Sequence, residues 1–151
     1  MERDTALESY SEDFFSSKVD GLKTHILIRA SKLSNLNKLG QRLDLIEPNN
    51  PLQFSLIPLK NSQTFLPHVH EVHKFNETET NTQECWVIIK GRVLAKLYDI
   101  DTSLLASIEL SQGDAVITLR GGHNYLSLED GTIAYEVKSG PYNPITDKRR
   151  F

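Results

Sequence analysis

From Lys23 onward the apolar positions fall into short runs separated by turn residues, a spacing too brief for helices and suited to strands. His25 to Arg29 is one run, and Leu43 to Ile46 is another, closed by Glu47-Pro48-Asn49-Asn50-Pro51. Gln53 to Leu59 and Thr64 to His70 follow. Thr82 to Lys90 is rich in β-branched and aromatic residues, Gly91 turns the chain, and Arg92 to Tyr98 returns as its partner. Leu104, Ala106, Ile108 and Leu110 alternate with Leu105, Ser107 and Glu109, the pattern of a strand with one apolar face. Ser111-Gln112-Gly113-Asp114 leads into Ala115 to Leu119, Gly121-Gly122 breaks that strand, and Asn124 to Leu128 continues after it. Thr132 to Lys138 is the last strand, cut by Ser139-Gly140-Pro141. Strands about ten residues apart, with turn chemistry between them and no strong helix, predict an all-β sandwich or barrel over 22–151.

Residues 1–21 do not share this pattern. They hold six acids (Glu2, Asp4, Glu8, Glu12, Asp13, Asp20) against two bases (Arg3, Lys18), and end at Gly21. Two readings stand: a short docked helix with Tyr10, Phe14 and Phe15 on one face, or a frayed acidic tail.

The length of 151 residues suits one domain, and a net charge of −3 carries no basic excess toward nucleic acid or an anionic membrane surface. Lys138, Lys148, Arg149, Arg150 and Arg120 are scattered among acids and hydrophobics. No apolar run approaches the length of a membrane span, and the first residues lack a signal-peptide pattern. Cys85 is the sole cysteine, so neither a disulfide framework nor a cysteine zinc site is possible; in its strand it reads as a buried, inert thiol. A cytoplasmic protein is expected. Open sheet edges predict a homodimer, with the N-terminal strands and the Ile133/Tyr135/Val137 neighbourhood as its surfaces.

The chemistry concentrates in a few positions. His68 and His70 are two apart in an extended segment, so both imidazoles project from one face. Glu84 opens the next long strand and adds an anionic oxygen, and His123 follows the Gly121-Gly122 break. Three imidazoles and one carboxylate make a mixed nitrogen/oxygen shell suited to one divalent transition metal: Fe, Mn, Ni, Zn or Cu. In an octahedral ion two positions would remain for water or substrate.

In order, these residues resemble the two motifs of the cupin family. His68-Val69-His70 supplies the His-x-His pair, and Glu84 followed by Cys85 to Lys90 and Gly91 has the family's Glu-to-Gly spacing. Gly113-Asp114 resembles the start of the second motif, with Gly121-Gly122 as its turn and His123 as its ligand. The chain departs from the motifs at Ser62, where a Gly is usual, at Leu119, where a Pro is usual, and at Ser127, often Asn. Thirteen residues separate His70 from Glu84, more than usual, and they bring in Glu71 and His73, either of which could replace Glu84 as a ligand or lie over the entrance.

The resemblance implies a jelly-roll barrel holding a metal on His68, His70, Glu84 and His123. The tail Glu136-Val137-Lys138-Ser139-Gly140-Pro141-Tyr142, then Asp147-Lys148-Arg149-Arg150-Phe151, is similar to that of a group of small single-domain cupins often placed near sugar-nucleotide or surface-polysaccharide genes. A metalloenzyme on a sugar or keto acid (isomerase, epimerase or dioxygenase) and a non-catalytic sugar- or small-molecule-binding module are both compatible with such a cavity.

Strand parity adds substrate contacts. Trp86 and Ile88 share the face of Glu84, and Tyr125 and Ser127 share that of His123, so Trp86, Tyr125 and Ser127 are candidate substrate-binding residues. In the last strand Ile133, Tyr135 and Val137 form the apolar face, which would turn Glu136 and Lys138 to solvent or a partner. The opposite parity would make Glu136 a candidate base.

Overall fold

The computed structural model describes residues 14–36, 40–75 and 78–151. The chain divides into two compact units, 1–39 and 40–151. In the first, strand β1 (Phe14–Ser16) pairs antiparallel with β2 (Lys23–Ile26) across the turn containing Gly21, and a 3₁₀ turn spans Ala30–Asn35. Phe14 and Phe15 therefore lie in an exposed strand and not on a helical face; Tyr10 lies outside the described residues. Side chains on neighbouring strand positions point to opposite faces, so these two rings cannot form one face.

The second unit carries the barrel. Its strands are β3 (Leu43–Asp44), β4 (Leu52–Leu59), β5 (His68–His70), β6 (Val72–Phe75), β7 (Thr78–Asn81), β8 (Glu84–Lys90), β9 (Val93–Tyr98), β10 (Leu104–Leu110), β11 (Ala115–Thr118), β12 (Gly122–Ser127), β13 (Thr132–Ser139) and β14 (Lys148–Arg150). They form two five-stranded sheets, in the orders β10-β9-β12-β5-β14 and β11-β8-β13-β4-β3, antiparallel throughout. The long spacer between His70 and Glu84 folds as a separate hairpin, β6 against β7.

The inward positions of three adjacent strands change character along their length. Going along β4 they are Gln53, Ser55, Ile57 and Leu59; along β8 they are Glu84, Trp86 and Ile88; in register on β13 lie Lys138, Glu136 and Ala134. At the apolar end Ile57, Leu59, Ile88 and Ala134 meet Val93, Ala95, Leu110 and Tyr125 of the facing sheet in one buried cluster. Fully burying a side chain such as Ile88 contributes roughly 1.5–3 kcal/mol. The apolar half fastens the sheets together and leaves the polar half of the interior as a site.

This pattern decides between the two parities of β13. On β13 Glu136 and Lys138 are the inward residues, each about 5% exposed, while Tyr135 and Val137 are half-buried on the other face, where Tyr135 packs on Phe54. Alternation alone favours the apolar set for the core; the polar set goes in because each charge meets a fixed counter-charge there. At the rim, the edge strands β10 and β11 expose Leu104, Leu105, Ile108 and Ile117. No helix among the described residues is long and apolar enough to cross a membrane.

Candidate metal centre

His68 and His70 are brought to the site by β5, Glu84 by the start of β8, and His123 by β12. β12 pairs with β5 so that His123 stands opposite His68. The turn that allows this needs glycine. Gly121 has φ of +88°, and a Cβ there would lie 2.5 Å from the Tyr98 carbonyl oxygen. At Gly122 a Cβ would sit 3.1 Å from the His68 carbonyl oxygen, so the bare backbone is what lets β12 approach β5.

The four side chains are buried, and one ligand atom from each lies within 4.8 Å of the others. That is a little beyond the ~4.2 Å span of two ~2.1 Å bonds on opposite sides of one ion, so the side chains would draw in slightly around it. The imidazole orientations are fixed from outside. His68 Nδ1 donates to the Leu66 carbonyl at 2.9 Å, and His70 Nδ1 donates to Asp147 Oδ2 at 3.2 Å. His123 Nδ1 is 2.8 Å from Thr118 Oγ1. With Nδ1 occupied in all three rings, the Nε2 atoms are left for the centre, the outer-partner arrangement characteristic of metal-ligating histidines.

Two distances describe the centre itself. His70 Nε2 is 3.0 Å from Glu84 Oε2, and His123 Nε2 is 3.0 Å from Glu84 Oε1. The second approach is not aligned as a hydrogen bond, and His123 Nε2 is a buried polar atom without a partner. An orphaned ring nitrogen beside a carboxylate oxygen is a costly arrangement that a shared cation satisfies. The donor set of three imidazole nitrogens and one carboxylate fits a first-row divalent transition metal.

The charge states follow from the surroundings. Burial opposes ionisation of Glu84, but His123 and His70 beside it hold the carboxyl well below the ordinary range. Burial would likewise lower His70, yet its bonds to Asp147 and Glu84 push it up to about 9. His68 has no carboxylate on its ring, and desolvation takes it down to about 4. Asp147 is also held low despite burial, by His70 and by Lys138, whose Nζ donates to Oδ2 at 3.3 Å.

A cavity of about 280 Å³ opens beside this group, and His68, Glu84 and His123 reach it. Trp86 and Tyr125, both expected near substrate, also line it. Their rings stack on each other at 4.1 Å between centroids, which commits one face of each to the core. The Tyr125 hydroxyl is buried near Thr118 without an aligned hydrogen bond; burial and then Glu84 raise its pKa. Ser127, the third expected contact, is absent from the lining. It is buried farther along β12, and its hydroxyl donates to the Glu129 carbonyl at 2.9 Å. Parity put it on the right face of β12 but not at the site's end of the strand.

Glu71 is not a ligand in this arrangement. It pairs with Arg149 at 3.3 Å and is nearly half exposed. The side chain of His73 lies outside the described residues.

Several lining residues had no local signal. Arg42, which precedes β3, donates Nη2 to Glu136 Oε1 at 2.5 Å and Nη1 to Oε2 at 3.0 Å, and Trp86 Nε1 donates to Oε2 at 3.1 Å. Arg42 also reaches Ser55 and Asp44, at 2.7 and 2.6 Å. Glu136 is thereby occupied at both oxygens.

Among solved structures the barrel is similar to that of capsular polysaccharide assembling protein CapF from Staphylococcus aureus. The match has a TM-score of 0.59 and 16% identity, and covers 73% of this chain and 31% of CapF. KdgF from Halomonas sp. matches with a TM-score of 0.53 and 18% identity, over 69% of this chain and 80% of that one. An uncharacterized conserved protein with a double-stranded β-helix domain from Klebsiella pneumoniae gives a TM-score of 0.53 and 17% identity, over 74% and 84%. The fold is that of the cupins. No family model and no curated protein matches the chain. In this cupin barrel the His68/His70/Glu84/His123 group lies in the polar half of the interior, as the motif resemblance implies.

Proposed function

We propose that this cupin barrel is a metal-dependent enzyme acting on a small polar metabolite such as a sugar or keto acid, of the isomerase/epimerase or dioxygenase class. The observation that carries the reading is the orientation of the donor set. Three rings are locked through Nδ1, Nε2 faces inward, and the group is open on one side to a ligand-sized cavity. A bound divalent metal would supply Lewis-acid polarisation of substrate oxygens, or a redox centre for O₂. The chain's own residues supply the rest. The stacked Trp86/Tyr125 pair forms a rigid wall of the cavity. Arg42, fixed by Glu136, holds a positive charge in the lining without needing to reorganise. CapF's description as a capsular polysaccharide assembling protein agrees loosely with a sugar-related ligand.

A second reading, a non-catalytic binding module using the same cavity, is favoured by one observation. Glu136 lies in the lining, but both its oxygens are engaged by Arg42 and Trp86, which leaves it poorly placed as a general base. A ligand found by thermal-shift screening of sugars, nucleotide sugars and keto acids separates the two. In the enzyme, Glu84→Gln lowers kcat by at least ~10-fold, about 1.4 kcal/mol, with a smaller effect on binding. A ligand that binds wild type and Glu84→Gln equally, and is recovered unchanged with and without O₂, contradicts the enzyme reading for its class.

We also infer a homodimer in a reducing, cytoplasmic setting. The exposed apolar residues on the edge strands β10 and β11 and the single free Cys85 support it.

A further inference from the structure

The cavity carries positive charge that its own carboxylates do not neutralise. β14 pairs antiparallel with β5 so that Lys148 stands opposite His70 and Arg150 opposite His68. Directly opposed residues in an antiparallel pair point to the same face, so β14 delivers both cations to the side of the sheet that carries the imidazoles. Both line the cavity. Arg149, between them, points the other way and pairs with Glu71.

The four cations of the lining differ in one respect. Arg42 is held by Glu136 and Asp44, and Lys138 by Asp147. Among the described residues, neither Lys148 nor Arg150 forms an ion pair or a side-chain hydrogen bond. Lys148 is nonetheless half-buried. A half-buried ammonium with no side-chain acceptor, sharing one strand face with a second cation, is a place that an anion would satisfy.

We propose that Lys148 and Arg150 form an anion-binding subsite that holds a carboxylate or phosphate of the cavity's ligand beside the metal group. This rests on the cavity being a ligand site, as argued above, and narrows its ligand to a small anion-bearing metabolite. Arginine matches a carboxylate or phosphate through two parallel N–H bonds, and lysine adds a point charge. At about 280 Å³ the cavity is at the small end of ligand sites, which favours a sugar acid, sugar phosphate or keto acid over a nucleotide-linked sugar.

Trp86 is the only tryptophan of the chain and lines the same cavity, so its fluorescence reports occupancy. The protein as purified is titrated with sodium acetate and with inorganic phosphate at constant ionic strength, with metal content measured in parallel. Saturable quenching or enhancement with a Kd tighter than about 10 mM is expected for at least one anion. The anion that saturates identifies the ligand's group as carboxylate or phosphate. Lys148→Met/Arg150→Gln weakens this binding at least tenfold, each single variant about threefold or more, and Arg149→Gln leaves it within twofold. The single variants, on an exposed edge strand, serve if the double variant is unstable. No saturable response to either anion, or equal binding by wild type and the β14 variants, overturns the subsite. A wild type that binds anions through β14 yet takes up no metal overturns the metal reading and leaves the subsite standing.

Discussion

Two buried carboxylates face the same cavity from adjacent strands, Glu84 on β8 and Glu136 on β13, and their surroundings are opposites. Glu136 is saturated by a guanidinium fork and an indole N–H, so its charge is balanced by the protein. Glu84 meets two imidazoles, one hydrogen-bonded to it and the other in a geometry that leaves a buried ring nitrogen without a partner, so the group is left with an unfilled donor position that a metal ion would satisfy. Carboxylates on neighbouring strands, two positions apart in register, are thus divided between a structural role and a ligand role by what lies opposite. Asp147 belongs with Glu84, since it orients His70, and its other contact, Lys138, stands in register opposite Glu84.

The comparison breaks most visibly at Glu84 and the histidines. His68→Ala, His123→Ala or Glu84→Ala each loses most bound metal, together with the thermal stabilisation that excess metal gives, whereas His25→Ala on β2 keeps both. Glu136→Gln does the reverse. Metal stoichiometry stays, but Arg42 loses the carboxylate it was folded against; a cost of about 2–3 kcal/mol lowers Tm by about 5–10 °C in a chain of this size. Asp147→Asn is intermediate: the fold survives, and calorimetric titration shows metal affinity weakened about 10–100-fold because His70 is no longer oriented.

The next effect is in pH. Without metal, His70 keeps its proton to about pH 9, and a metal needs that nitrogen's lone pair. Metal affinity therefore rises with pH by up to about tenfold per unit and levels off above pH ~9, with close to one proton released per ion at pH 7, as read by calorimetry in buffers of different ionisation enthalpy. For the metal-free fold the signs are opposite at the two histidines. His70, raised above 6.5, contributes stability that is complete below pH ~6.5 and is lost as pH climbs through 9. His68, depressed to about 4, contributes nothing above 6.5 and destabilises as pH falls from 6.5 toward 4. Melting scans without metal should show a maximum near pH 6.5; a monotonic profile would contradict the assignment. The smallest effect is on assembly: Leu105→Lys/Ile117→Lys shifts the light-scattering mass toward monomer and leaves metal binding unchanged.

How much of this was legible in the sequence depends on how local each signal is. His68, His70 and Glu84 announce themselves by spacing and by the Glu-to-Gly interval, and His123 by the double glycine whose tight backbone the structure uses. Trp86 follows from parity with Glu84. Arg42, Asp147, Lys148 and Arg150 do not. They arrive through two- and three-residue strands whose pairing, β3 with β4 and β14 with β5, is set by tertiary register and leaves no periodicity to read. Parity leaves Glu136 open for a related reason: alternation assigns faces by hydrophobicity and cannot weigh a charge whose counter-charge is 94 residues away.

The central claim is that Glu84 and Glu136 differ in kind, one a metal ligand and the other a structural anion. Elemental analysis of wild type, Glu84→Gln and Glu136→Gln, purified side by side from the native host, tests it most directly. The account predicts about one transition-metal ion per chain in wild type and in Glu136→Gln, and a several-fold loss in Glu84→Gln. Equal metal in all three, or loss in Glu136→Gln with retention in Glu84→Gln, would contradict it.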